Sequence, residues 1–325
     1  MNLQRRNLLH LAAGTTALSA LSRIARADTY PSRPVHVIVG FAAGGPNDIS
    51  ARLISQSLSQ RLNQQFVVEN RTGAGGNIAT ELVVRSPADG YTLLLVPAPA
   101  AINATLYHNL TFNFIRDIAP IGGIVSVPEV LVVNPSVPAK SVPELIAYAK
   151  ANPGKINMAS AGVGSVPHVA GELFKFMTGV NLITVGYRGG GPALVDLLGG
   201  QVQMMFEPTL STLPHIRAGK LRALAVTSAK RSQALPNVPT VGEFVAGYEA
   251  TAWFGLGAPK GTSSEILDKL NREVNAGLAN AKIRERLADL GGVPMPMTRA
   301  EFGAFIAAET EKWAKVIKSA NIEAD

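Results

Sequence analysis

Apolar positions along this chain follow two periods that take turns. The run "VHVIV" at 35–39 is close to continuously apolar over strand length, whereas "ISARLISQSLSQRL" at 49–62 places its apolar residues three and four apart, on one side of a helix. The same exchange recurs. It predicts strands at 35–39, 65–69, 91–96, 129–133, 156–159, 182–185, 202–206, 221–226 and 251–258, with helices at 49–62, 78–85, 143–151, 167–178 and 193–198. Strands alternating with helices and punctuated by glycine and proline describe an α/β fold with mostly parallel sheets. The tail reads differently: Thr262 with Glu265, and Thr298 with Glu301, have the spacing of capping boxes opening two helices. In the second of these, Phe302, Phe305, Ile306, Trp313, Val316 and Ile317 share a face, so this helix is expected to dock on a core rather than hold a cofactor.

Two of the strand-to-helix turns echo each other. "VHVIVGFAAGGPNDIS" and "INMASAGVGSVPHVAGELF" both run from an apolar strand through small residues to a proline in the first helical turn. Such turns lie at the carboxyl ends of strands, where ligands of open α/β sheets bind. Glycine admits close backbone approach, and the N–H groups of a helix start favour an anion. Neither turn has the Lys-Ser/Thr ending of a Walker A loop or the G-x-G-x-x-G spacing, and "TGAGGN" at 72–77 has no lysine after it. A carboxylate suits these turns better than a phosphate chain. Each turn taken singly is more simply read as a tight connection, and it is the pair, in what look like separate domains, that points to a ligand.

Composition narrows the setting. With 47% hydrophobic and 16% charged residues, 325 residues are enough for two cores and too apolar for disorder. The start, "MNLQRRNLLHLAAGTTALSALSRIARA", has a basic patch (Arg5, Arg6), an apolar stretch and Ala25-Arg26-Ala27, the pattern of an export signal removed after Ala27. Gly14, Thr15 and Thr16 keep its apolar part short of the roughly 20 residues of a membrane span. Arg5 and Arg6 followed by Asn7-Leu8-Leu9 loosely match a twin-arginine signal, with the general secretory route as the alternative. The formal charge of +7 falls to +3 once the four signal arginines are set aside, too mild a balance for nucleic acid. Zero cysteines exclude disulfides, thiolate metal sites, a cysteine nucleophile and a lipidated N-terminal cysteine, which suits a free periplasmic protein.

Candidate chemistry outside the glycine turns is sparse. Ser165 in "GVGSVPH" has His168 three residues on, a spacing unlike the nucleophile elbow of hydrolases, and an N-cap role explains it. His36, His108, His168 and His215 stand singly without metal-ligand spacing, so no metal and no cofactor is expected. Of these, His168 lies in a turn that would bring it near a ligand. Asp48 follows the first glycine turn, where the helix dipole stabilises a carboxylate, and it is also a candidate partner for a ligand's amino or hydroxyl group. Arg188 precedes "GGGP" and could pair an acid, or be a solvated charge, and Glu207 ends the "QVQMMF" strand just before Pro208.

Together these segments resemble the Bug family, periplasmic solute-binding receptors related to the tricarboxylate-binding component of tripartite tricarboxylate transporters. The resemblance rests on "YPSRPVHVIVGFAAGGPNDISARL", "VVENRTGAGGNIATELVVRSPADGYTLLL", "FIRDIAPIGGI", "YRGGGPALVDLLGGQVQMMFEP", "LAVTSAKRSQALPNVPTVGE", "WFGLGAPKGT" and "FGAFIAAETEKWAKVIKSANI", in order across nearly the whole chain. It implies an α/β, periplasmic-binding-protein-like (type II) Venus flytrap, two α/β domains with an interdomain cleft that holds a ligand carboxylate through backbone N–H groups and bridging waters. Carried over by position, the cleft residues are Phe41, Ala43, Gly44, Gly45, Asn47 and Asp48 of the first loop and Ala98 and Ala100 of the loop 97–101. The second loop contributes Ser160, Ala161, Gly162, Gly164, Ser165 and His168, and Arg188 with the glycine turn after it, and Glu207, complete the set. This chain departs from the family in having Gly40 where proline is common, Pro46 where glycine is common, and "PAPAA" where polar residues stand, which implies a less polar, aromatic or aliphatic, ligand tail. "MFEP" in place of the usual Phe-Asp ending puts a contact to a ligand amino group in question.

The expected organisation is a signal at 1–27, one domain from 28–130 with 250–325, a second from 131–249, and a hinge at the crossings near Val130 and Ala250. The expected function is a monomeric, non-enzymatic periplasmic receptor for a small carboxylate. It would present that ligand to integral membrane transporter subunits or to a sensor kinase ectodomain. The rival readings are a periplasmic hydrolase or lyase using Ser165 and His168, and a sensory or structural partner without a ligand.

Overall fold

A computed structural model of the chain describes residues 30–320, 322 and 323. The export signal expected at 1–27 lies outside the described residues. From Arg33 onward the chain forms one compact unit.

In chain order the elements begin with β1 (Val35–Val39), α1 (Pro46–Leu62), β2 (Phe66–Asn70), α2 (Asn77–Val84), β3 (Thr92–Pro97), α3 (Pro99–Leu106), α4 (Phe114–Asp117) and β4 (Ile118–Val133). They continue with α5 (Val142–Ala151), β5 (Asn157–Ser160), α6 (Val166–Thr178), β6 (Ile183–Gly186), α7 (Gly190–Leu198), β7 (Met204–Pro208), α8 (Thr209–Arg217) and β8 (Arg222–Val226). The last are β9 (Thr251–Pro259), α9 (Ser264–Ala279), α10 (Ala281–Asp289), β10 (Val293–Pro294) and α11 (Arg299–Ser319).

The strands run in the order β2-β1-β3-β9-β4-β7-β5-β6, with β8 and β10 also paired to β4. Parallel pairing holds at the two flanks, where β1 lies between β2 and β3 and β5 between β6 and β7. The centre corrects the expectation of mostly parallel sheets, because β9 runs against both β3 and β4, and β4 runs against β7 and β8. The long β4 belongs to both halves: its residues up to Pro128 pair with β9, and Glu129–Val133 pair with β7 and β8.

Two cores follow from this division. On the second half-sheet, Val130, Val132, Ala159 and Met205 pack with Leu194 and Leu197 of α7. On the first, α11 lies against β9 with Trp253 edge-on to Phe302 and Phe305. Trp253 and Trp313 both donate their indole N–H to Glu309 Oε2, at 3.0 and 3.3 Å. The expected aromatic face of α11 is therefore packing, and its start is the expected capping box of Thr298 and Glu301. The other expected box is corrected: Ser263, not Thr262, caps α9 by accepting from Ile266 N–H. Thr262 instead donates its hydroxyl to the Pro259 carbonyl, so it is used up by the turn.

Candidate functional site

Five strand-to-helix turns open on one place. The starts of α1 (Pro46, Asn47), α3 (Ala98, Pro99), α6 (Ser165, Val166, Pro167), α7 (Gly190) and α8 (Pro208) line a single narrow cavity, walled also by Phe41, Ala161, Ala252, Phe254, Glu129 and Glu207. Each helix follows directly on a strand whose carboxyl end points here: β1, β3, β5, β6 and β7. Proline in the first turn of α1, α3 and α6 has its φ already helical and lacks the N–H that such a position cannot use. No side chain caps α1, α3, α7 or α8. The first N–H groups of a helix have no partner within it, so these four starts present donors and positive dipole ends to an occupant of the cavity. At α6 the arrangement differs, because Ser165 Oγ accepts from His168 N–H at 3.2 Å and acts as the cap.

The halves meet along a tight seam. Ala42 N–H donates to the Arg188 carbonyl at 3.0 Å, and Tyr107 OH donates to the Val163 carbonyl at 3.4 Å. A Cβ on Gly191 would stand 2.3 Å from the Ala43 carbonyl oxygen, which explains a glycine where two backbones touch. This is a closed arrangement of the two loops.

The cavity also holds acid. Glu129 and Glu207 are both 0% exposed. Adjacent strands bring them there, since Glu129 opens the part of β4 paired to β7 and Val130 is registered with Glu207. Glu207 Oε1 accepts from Ser211 Oγ at 2.8 Å, whereas its Oε2, both carboxyl oxygens of Glu129 and Asn47 Oδ1 have no hydrogen-bond partner. Burial pushes Glu207 up to about 8, against the opposing hydrogen bond from Ser211. Glu129 is raised well above the ordinary glutamate value, first by burial and then by repulsion from Glu207. The backbone of Glu129 is fixed by Thr227, whose hydroxyl accepts from Glu129 N–H at 3.0 Å and donates to the Ala250 carbonyl.

The residues singled out from sequence separate into groups. Phe41, Asn47, Ala98, Ala161, Ser165 and Glu207 line the cavity. Phe41 and Ala161 also border, with Gly162 and Arg188, a neighbouring pocket that includes Gly75, Tyr107 and Val163. Gly45 is buried at the seam beside Gly190 and Gly191, and Ala43 and Gly44 are exposed. Gly164 packs on Asn103, and Ala100 lines a small pocket with Asn103 and Gly75. Ser160 and His168 line a separate pocket with Glu172 and Lys175. Asp48 holds its own loop: its Oδ2 accepts from Gly44 N–H at 3.1 Å and from Arg52 Nε at 2.9 Å. Burial alone would raise Asp48, and the bonds from Arg52, Gly44 and Asn70 with the Arg52 charge together outweigh it, leaving the carboxyl lowered. The Arg188 side chain is exposed. Sequence reasoning placed the glycine turn after Arg188, and so Gly190, in the cleft, and missed Glu129, Ala252 and Phe254. Only Glu129 carried a signal, an acid inside an otherwise apolar run, "VPEVLVV". Its presence qualifies the expected loss of polarity, for Ala98 and Pro99 are apolar but the adjoining wall is not.

Comparisons with known proteins agree with this architecture. A family model described as "Tripartite tricarboxylate transporter family receptor" matches residues 50–322. The protein BugT of Bordetella pertussis (strain Tohama I) is 41% identical over 323 residues, covering 98% of each chain. Among solved structures, the periplasmic binding protein BugD superposes with a TM-score of 0.88 at 39% identity, over 91% of this chain and 100% of that one. Rpa4515 of R. palustris, solved with adipate, also gives 0.88, at 38% identity over 90% of this chain and 99% of its own.

Proposed function

The chain belongs to the tripartite tricarboxylate transporter receptor family, and from that membership we propose that it captures a small carboxylate-bearing solute between two lobes and hands it to a membrane partner. One observation supports the reading most: five helix starts, four without a side-chain cap, converge on a single cavity. Backbone N–H groups at helix starts bind anions, and a carboxylate is an anion of the kind they hold. Adipate, held by the similar Rpa4515, is such a molecule.

Several finer readings go with it. The lobes are 28–130 with 250–325, and 131–249, turning about the crossings near Val130 and Ala250, where β4 passes between half-sheets. The chain acts in the periplasm as a monomer after loss of residues 1–27. The membrane partner is a set of tripartite transporter subunits, with a sensor kinase ectodomain as the alternative.

Binding without catalysis accounts best for Ser165, whose hydroxyl caps α6, and for His168, which lines a different pocket. Thermal-shift screening against mono-, di- and aromatic carboxylates tests the receptor reading, because a ligand selective for the folded form raises Tm. A clear rise with at least one carboxylate, and its recovery unchanged, is expected. Indifference to every carboxylate would reject the receptor. Turnover of carboxylate esters that disappears in Ser165→Ala would favour the hydrolase.

A further inference from the structure

Helix α8 starts at the cavity, directly after Pro208, and packs against α1 of the first half as well as α7 and β7 of the second. By chain position it belongs to 131–249, yet two of its side chains bond the turn after α10, which belongs to 250–325. Thr209, wholly buried, donates its hydroxyl to the Gly291 carbonyl at 3.3 Å. Arg217, at the other end of α8, donates from Nη1 to the Asp289 carbonyl at 3.1 Å.

The turn offers these carbonyls for a physical reason. Asp289 is the last residue of α10, where helix carbonyls have no partner within the helix and the dipole end is negative. The N–H groups of the turn are already used inside α10, for Leu290 and Gly292 donate to the Leu287 carbonyl and Gly291 to that of Ala288. The Arg217 guanidinium therefore completes this helix end from outside it, where a cation is favoured. The fit is close. A Cβ on Gly291, whose φ is +77°, would stand 2.7 Å from Thr209 Oγ1, and one on Gly292 would stand 2.7 Å from Val125 Cγ2. Glycine lets the turn reach α8 and β4 together.

We infer that Thr209 and Arg217 form a latch between the lobes, fixing the closed angle at which the start of α8 joins the other helix starts around the cavity. This rests on the two-lobe reading and deepens it. Both are positioning residues, since neither lines the cavity and they act through the backbone of α8. Arg217, Asp289 and Gly291 line one groove with Ser126, Pro128 and Thr251, which puts the latch beside the crossings about which the lobes would turn. Close to such an axis, a small shift of the turn becomes a large one at the far ends of the lobes.

Interlobe distances test the latch. The chain has no cysteine, so Lys155→Cys and Lys260→Cys, exposed and one in each lobe, would carry the two spin labels. Pulsed electron spin resonance on the protein without added solute is expected to give a shorter and a longer distance. Thr209→Val and Arg217→Ala are each expected to lower the ratio of short to long threefold or more, and Thr209→Ser and Arg217→Lys to recover it. Arg217 is exposed, so its variant is the one that least disturbs the fold. A ratio that stays put in Arg217→Ala would overturn the latch and leave the two lobes standing, whatever Thr209→Val does. One unvarying distance in every protein would overturn the lobe motion and the latch with it. None of these outcomes depends on a carboxylate, and failure of the thermal-shift panel would count against the receptor alone.

Discussion

At the scale of single residues, the site is governed by what has been placed beside what. Glu207 has a folded-state value of about 8 against an ordinary 4.5, so the folded protein holds a proton that the unfolded chain releases between those values. Stability from this group is complete below 4.5 and is lost as pH rises toward 8; Glu129 has the same sign. Asp48 has the opposite sign, favouring the fold above the ordinary carboxylate range and withdrawing that favour on acidification. The Tm of the ligand-free protein is accordingly expected to fall from about pH 5 to pH 8, and Glu207→Gln to flatten the slope. A slope unchanged in that variant would show that Glu207 does not carry it. Gly190 is a second sensitive point, because a Cβ there would stand 2.1 Å from Glu207 Oε1 and 2.8 Å from its carboxyl carbon. Gly190→Ala must swing that carboxyl away, at a cost of about 1–3 kcal/mol in stability. Ligand affinity should drop with it, as calorimetry alongside thermal melts would read.

Individual elements differ in how openly the sequence announces them. In α11 the capping box and aromatic face are explicit, and the helix docks as they require. Its anchor is Glu309, which accepts from two indoles; Glu309→Ala strips both buried N–H groups of their partner and is expected to destabilise by about 1–3 kcal/mol, visible in denaturant melts followed by tryptophan fluorescence. Other elements are concealed by their punctuation. The first part of β4 contains Pro120, Gly122, Gly123 and Pro128, breakers in any local reading, yet the strand continues through register shifts around the glycines because β9 pairs with it throughout. Helix α8 is masked by the internal Pro214, and α3 by a proline-alanine stretch that reads as loop. The strand-to-helix turns of β1 and β5 were legible because proline and glycine there serve the local backbone. Glu129 and Phe254 belong to the cavity through long-range pairing, which no local period encodes.

For the whole molecule, the decisive feature is that one strand serves two half-sheets. With Pro128 on the β9 side and Glu129 on the β7 and β8 side, a small twist at this point would separate the loops joined by Ala42 and Arg188. Ligand-bound protein should thus be more compact than ligand-free protein in small-angle scattering; an identical radius of gyration in both states would argue for a rigid pocket. Thr227 ties the backbone of Glu129 to Ala250 at the same crossing, so the proposed motion would pass through these bonds. A grip supplied by the main chain, as proposed for this cavity, would also bear on ancestry. Side-chain replacement cannot delete a peptide N–H except by introducing proline, so duplicated copies of such a gene can exchange the residues facing the cargo's far end while keeping hold of its acid. Diversity of diet can then arise by retouching a few walls.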